Sequence, residues 1–230
     1  IKFDMSKMRW IGNMAALNSM AVAMGHVAKT LDDAKKKEIV VAASGKGSET
    51  YIFPKFLNSA VGTRFKIVTG YRGTAKMTNA MESGEAQARG GSWQSWNVIR
   101  PHWIGTDKIG VLVQAGLTPH PDPAVKHVPM LVDVVSAEYK PIAALLSAPV
   151  SMARIVGTPP DVPNDRIMAL RKIFMETMKD PAFLADARKR KMDLSVLSGE
   201  QVEANIAKLM KTPKSILKRT ADILGYTKKK

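Results

Sequence analysis

Cysteine is absent from the 230 residues, which removes disulfide frameworks, thiol nucleophiles and thiolate metal sites from consideration. Long apolar runs are missing as well, none approaching the ~20 residues that a bilayer-spanning helix needs. The first residue is Ile1, and no charged n-region or apolar h-region precedes it. The chain is therefore expected to be a processed or truncated piece in which a signal peptide is absent. Catalytic signatures are lacking too. The four histidines, His26, His102, His120 and His127, have no metal-ligand spacing, and no HExxH pattern occurs. Ser44, Ser48 and Ser92 lie outside any GxSxG elbow. Gly45-Lys46-Gly47-Ser48 places its lysine on the wrong side of the second glycine for a GxxxxGK[ST] phosphate loop. Nothing in this inventory assembles an acid, a base and a nucleophile, so neither an enzyme nor a metal or cofactor is expected.

Negative charge is scarce. Lys and Arg number 35 against 20 Asp and Glu, a formal net charge of +15. Such an excess favours polyanions, anionic surfaces or acidic small molecules as partners. It clusters at Lys35-Lys36-Lys37, Arg188-Lys189-Arg190-Lys191 and Lys228-Lys229-Lys230. No recognition helix, ribonucleoprotein motif or aromatic-interleaved basic strand accompanies it, so these clusters read as solvated surface and nucleic acid is not an expected partner.

What is present is ordinary globular composition, 45% hydrophobic and 24% charged, in a chain long enough for one large domain or two lobes. The most informative stretch runs from Lys66 to Met77. A β-favouring run climbs to Tyr71, glycines Gly70 and Gly73 bracket a corner, and a helix-competent segment ends near Ser83-Gly84. The same grammar occurs earlier: strand Glu38–Ala43, corner Ser44-Gly45-Lys46-Gly47-Ser48, then a helix from Glu49 with Ile52, Phe53, Phe56 and Leu57 on one face. Ser48 is the expected N-cap, and Pro54 is expected to delay or kink that helix. A helix start exposes backbone N–H groups that lack intrahelical acceptors and carries partial positive charge, so a carboxylate or phosphate satisfies both. Two ordinary βα turns would use the same glycines for geometry alone.

Elsewhere, Trp10-Ile11-Gly12-Asn13 resembles a strand end, and Ser19–Met24 reads as a buried strand or a helix. Thr30 or Asp32 caps a short basic helix. Gly90-Gly91-Ser92-Trp93-Gln94-Ser95-Trp96 suggests a strand end facing a cleft, with Trp93 and Trp96 as wall, lid or plain core. Val98–Trp103 reads as a short helix broken by Pro101, and Ile109–Gln114 as a strand. Thr118–Pro129 is proline-rich loop, Leu131–Leu146 mostly helical with Pro141 marking a new helix start, and Ala148–Val156 a strand closed by Gly157-Thr158-Pro159-Pro160. Ile167, Leu170, Phe174 and Met178 share a helix face behind Asn164 or Asp165 as cap. Ser198 with Gln201 has capping-box spacing before Val202, Ile206 and Leu209.

Several of these stretches together resemble the receptor family of tripartite tricarboxylate transporters, the TctC or Bug-type extracytoplasmic solute-binding proteins. The carrying residues are Trp10-Ile11-Gly12-Asn13, Ala43–Ser48, Phe65–Thr74, Ala80–Glu85 and Thr158-Pro159-Pro160-Asp161-Val162-Pro163, in matching order along essentially the whole chain. The resemblance implies an α/β, two-lobed periplasmic-binding-protein (type 2) architecture that closes on a solute between hinged lobes. The family begins with a further segment, comprising a signal peptide, a first strand and a glycine-rich loop with an acidic residue. The first lobe here is therefore expected to be incomplete, with residues 1–30 and 147–230 in lobe I and 31–146 in lobe II. The implied function is a periplasmic receptor, monomeric, that captures a small organic carboxylate and delivers it to the membrane subunits of a tripartite tricarboxylate-type transporter. The carboxylate could be a di- or tricarboxylate, an acidic amino acid or an aromatic acid. By position, Ser44, Gly45, Gly47 and Ser48 would donate at one helix start, Tyr71, Gly73 and Thr74 at the other, and Ser92 and Trp93 would line the floor or wall. An α/β enzyme acting on a small anionic metabolite is the alternative, and it would need a base near the corners, either Glu49 or a histidine such as His102 or His127 brought there beside a carboxylate.

Overall fold

The structure, a computed structural model, describes residues 4–227. In chain order the strands are β1 (Arg9–Asn13), β2 (Ser19–Met24), β3 (Ile39–Ala43), β4 (Phe65–Thr69), β5 (Ala88–Ser92), β6 (Ile109–Ala115), β7 (Ile155–Thr158) and β8 (Leu197–Ser198). The helices are α1 (Leu31–Lys36), α2 (Glu49–Ala60), α3 (Thr74–Glu82), α4 (Trp93–Ile99), α5 (Lys140–Ser147), α6 (Asn164–Thr177), α7 (Pro181–Lys189), α8 (Gly199–Met210) and α9 (Lys214–Leu224). They fall into two compact units. The smaller combines the residues up to Leu17 with Ala148–Pro213, and the larger combines Asn18–Ser147 with the residues from Lys214 onward.

The larger unit is built on a five-stranded sheet of order β4-β3-β5-β2-β6. Strands β4, β3 and β5 are mutually parallel, whereas β2 pairs antiparallel with both β5 and β6. Ser19–Met24, open between helix and strand in the sequence, is a strand because it lies in the sheet interior, where five of its six residues are buried. Its pairing with β5 and β6 also puts it in the larger unit, although the sequence expectation has residues 18–30 in lobe I. The same holds for α9, which packs on α2 and α5. Beneath the sheet lies a core of Met20, Met77, Met81, Trp93, Trp96 and Trp103.

Gln114, fully buried at the end of β6, organises the proline-rich loop. Its side-chain amide donates to the Val125 and Val128 carbonyls at 3.2 and 2.7 Å, and its oxygen accepts from Asn18 Nδ2 and His120 N at 2.8 Å each. The Leu131 amide then donates to the Gln114 carbonyl at 2.7 Å. A run of turns follows where a helix from Leu131 is expected, with the Asp133 and Val134 amides donating to the Met130 carbonyl, and α5 runs from Lys140, beside the helix start expected at Pro141.

In the smaller unit β1 is the middle strand of a three-stranded sheet, β7-β1-β8. Trp10-Ile11-Gly12-Asn13 is a packing motif. A Cβ on Gly12 would stand 2.2 Å from the Phe174 ring, so only glycine lets α6 lie this close. Asn13, wholly buried, accepts from the Arg154 amide at 3.0 Å and donates to the Ser195 carbonyl at 3.2 Å. Arg171 on α6 donates to the Trp10 carbonyl at 2.9 Å and pairs with Glu200 and Glu203 of α8 at 2.7 and 2.6 Å.

Other expectations are corrected. Ala148–Met152 is a 3-10 turn, because Pro149 lacks a ladder donor and the Val150 carbonyl is taken by the Leu17 amide. Strand β7 therefore starts at Ile155 and includes Gly157 and Thr158. Helix α4 opens at Trp93, five residues before the expected start at Val98. Pro54 neither delays nor breaks α2 and costs it only one intrahelical donor. Neither Asn164 nor Asp165 caps α6, whose N-cap is Pro163 with no side-chain bond, and Leu170 is exposed. Thr30, rather than Asp32, caps α1 in a reciprocal capping box with Asp33, and Ser198 with Gln201 forms a second box on α8. The cluster Lys228-Lys229-Lys230 lies outside the described residues.

Candidate anion-binding site

Strands β4, β3 and β5 end on the same edge of the sheet, and each runs into a helix start. The chain steps from β3 outward to β4 and then back across β3 to β5, so the strand order reverses there. Ligands of open α/β sheets gather at such a reversal, outside the carboxyl ends of the strands. Gly90 and Gly91 of β5 make the reversal close-packed. A Cβ on Gly90 would stand 3.2 Å from the Thr50 Cα, and one on Gly91 3.6 Å from the Thr74 Cγ2. Successive strand residues point to opposite faces, so the first turns of α2 and α3 flank one point of β5 from either side.

At the first corner Thr50, buried and unrecognised in the sequence reading, ties the loop. Its hydroxyl accepts from the Ser44 amide at 3.0 Å and lies 3.3 Å from Ser44 Oγ and 2.5 Å from Ser48 Oγ. Ser48 caps α2, accepting from the Thr50 amide at 3.1 Å, and its own amide donates to the Gly45 carbonyl at 3.1 Å. When Thr50 donates to Ser48, the Ser48 proton is left for an incoming acceptor. Among the described residues the amides of Gly45 and Gly47 make no backbone hydrogen bond, and open space surrounds the Cβ position of each. The Tyr226 hydroxyl donates to the Lys46 carbonyl and latches the loop from the far end of the unit.

The second corner adjoins the first. The Gly70 and Tyr71 amides donate to the Ser44 and Ala43 carbonyls at 3.4 and 3.3 Å. Strand β4 stops at Thr69, two residues short of the expected Tyr71. Gly73 is the N-cap of α3 at φ +86° with open space around its Cβ position, and it has no side chain with which to cap the first-turn amides. Thr74 is half-buried and Arg72 and Lys76 are exposed. Tyr71 is corrected as a donor. Its amide serves Ala43, and its hydroxyl donates to Glu85 Oε1 at 2.6 Å, a bond that raises the phenol pKa.

On β5, Ser92 is half-buried with its hydroxyl unbonded among the described residues. Trp93 is corrected from wall to core. It is 1% exposed, and its indole N–H donates to Asp122 Oδ2 at 2.7 Å. Trp96 is likewise core.

Arg89 is the residue that sequence reading passed over. It is 1% exposed. Its Nε donates to Thr78 Oγ1 at 2.8 Å, and its Nη1 to the Gly90 carbonyl and Ser95 Oγ at 3.2 Å each. The guanidinium carbon lies 3.6 Å from the Trp96 ring centroid. Among the described residues its Nη2 has no hydrogen-bond partner. A charged residue inside the otherwise small-residue run Ala88-Arg89-Gly90-Gly91 was the available signal.

Among the described residues no cluster of acidic and histidine side chains is arranged to hold a metal ion, and no helix is long and apolar enough to cross a membrane. His102 and His127 are exposed and stand outside the corners. The constellation offers amides, hydroxyls and a buried positive charge, which suits holding an anion.

No protein-family model matches the chain, and no curated protein matches it. Solved structures do. A TctC solute-binding protein from Polaromonas superposes with a TM-score of 0.67 at 14% identity, over 95% of this chain and 72% of that one. An R. palustris protein with adipate gives 0.65 at 12% identity over 95% and 69%. The periplasmic binding protein BugD gives 0.62 at 15% over 93% and 69%. At such identities the likeness is one of architecture, and the chain has the α/β periplasmic-binding-protein fold shared by the TctC and Bug-type solute-binding proteins.

Proposed function

We propose that this protein is an extracytoplasmic solute receptor that captures a small organic carboxylate on the carboxyl edge of the larger unit's sheet, for a tripartite tricarboxylate-type transporter of the periplasm. The observation that carries the reading is the uncapped first turn of α3, set against the Ser44–Ser48 corner at the point where strand order reverses. The donors are the amides of Gly45, Gly47, Gly73 and Thr74 and the hydroxyls of Ser44, Ser48, Thr74 and Ser92. Trp93 backs the site from the core, and Tyr71 braces the second corner. A carboxylate held this way forms charge-assisted hydrogen bonds, and a helix start adds its dipole. The solved protein of like fold that carries adipate supports the substrate class.

The test is a thermal-shift screen with succinate, malate, adipate, citrate, glutamate and benzoate, followed by calorimetry. Ligand at a hundred-fold excess over Kd stabilises the folded state by about 2.7 kcal/mol, a readable rise in Tm. Thr74→Leu puts a bulky apolar group at the open turn and abolishes binding. A panel without a binder, or a T74L variant with unchanged affinity, sinks the assignment.

A further inference from the structure

The geometry points to Arg89 as the buried counter-charge for the bound carboxylate, a positioning residue that acts through the first turn of α3 without touching the ligand. This rests on the receptor reading and adds a source of charge selectivity to it. Arg89 Nε donates to Thr78 Oγ1 at 2.8 Å, and that hydroxyl donates to the Thr74 carbonyl at 2.8 Å. The guanidinium is thereby linked to the residue that opens the helix. Its Nη1 lies 2.9 Å from the position of a Gly91 Cβ, with Thr74 Cγ2 3.6 Å from that same position, so charge and helix start meet over one glycine.

A guanidinium removed from water is tolerated when its charge and its donors are both answered. Here neither is fully answered. Nη2 has no acceptor among the described residues, and one face rests on the Trp96 ring, which supplies only cation–π attraction. Burial draws the pKa down to about 9, against the opposing field of the Glu49 carboxylate at the start of α2. The group therefore stays charged at neutral pH. The first turn of α3 adds partial positive charge of the same sign. Cation and helix start repel one another in a poorly screened place, and an anion docked on the open turn relieves both. A ligand of higher negative charge gains more from this fixed cation than one of lower charge, because the attraction scales with the product of charges.

The experiment uses the intact chain, the tightest-binding dicarboxylate of the panel and that ligand's monoamide, titrated at constant ionic strength. The readout is the ratio of the two dissociation constants. Arg89→Gln lowers the preference for the dianion at least fivefold, whereas Arg89→Lys, which keeps the charge but not the planar fork, stays within twofold of wild type. Should R89Q fail to fold, Thr78→Val removes the linking hydroxyl at constant shape and lowers the ratio at least twofold. An unchanged ratio in R89Q (or in T78V in its place), or an equal loss in R89K and R89Q, overturns the inference and leaves the receptor reading standing. A wild-type chain that binds no carboxylate of the panel overturns both.

Discussion

Gly73 shows how much one position can decide. Its backbone sits at φ +86° and ψ 163°, a region that side chains avoid, and nothing lies within 4 Å of its Cβ position. Gly73→Ala is therefore expected to cost about 1–3 kcal/mol through backbone strain alone and to weaken carboxylate binding at least tenfold. Gly45→Ala and Gly47→Ala, in open space with ordinary φ, are expected to change stability by less than about 0.5 kcal/mol. Denaturant titrations of the three variants check this, and equal effects at all three would refute the conformational argument. Glycine corners could be read directly because a residue that alone tolerates such angles is a local signal. The engagement of Tyr71 by Glu85 and of Trp93 by Asp122 could not, because each partner is brought in by the fold from 14 or 29 residues away. Asp122 also carries a pH prediction. Burial raises its pKa, but the Trp93 N–H, the Ala124 amide and His120 outweigh burial and hold the carboxyl below its usual range. A depressed folded-state pKa stabilises above the unfolded value of about 3.9, and the contribution is lost as pH falls through the folded value. Asp122→Asn is thus expected to destabilise at pH 7 by about 1 kcal/mol and to flatten the acid limb of the stability profile. An acid limb identical to wild type would remove Asp122 from the account.

Elements were legible where local chemistry repeats. The capping box at Ser198 and Gln201 follows from spacing alone, and Ser198→Ala is expected to cost about 1 kcal/mol, measurable by urea denaturation. The βα units around both corners were legible for the same reason, since β-branched runs, glycine turns and an amphipathic helix each announce themselves within a few residues. The failures share another cause. Leu131–Tyr139 carries apolar residues in helix-like number, but Gln114 claims the Leu131 amide and the Asp133 and Val134 amides turn back to the Met130 carbonyl. Ala148–Met152 has strand-like residues whose register is broken by Pro149. In both, a distant partner or a missing donor overrode the local pattern, as tertiary context does. Helix α6 was legible from its apolar face, and Phe174 against Gly12 and Arg171 against Trp10 supply the packing detail.

At the scale of the molecule, each unit has its own apolar centre. That of the smaller gathers Trp10, Met152, Val202 and Ile206, and that of the larger is methionine- and tryptophan-rich. Gly12→Val would press two methyls into the Phe174 ring and strike the smaller unit. Differential scanning calorimetry is expected to show one transition lowered and a second unmoved, whereas a single transition displaced as a whole would show that the units melt together. The discontinuous make-up of the units was expected only through the family resemblance, because nothing local records that β1 pairs with a strand some 145 residues later. The tie between the Tyr226 hydroxyl and the Lys46 carbonyl joins the carboxyl end of the described chain to the first corner. An environment-sensitive dye coupled to a cysteine introduced at Thr227 would thus ride beside the capture loop, in a sequence with no other thiol to compete for the label. On the proposed reading, the protein comes ready to be made into an optical sensor for its carboxylate.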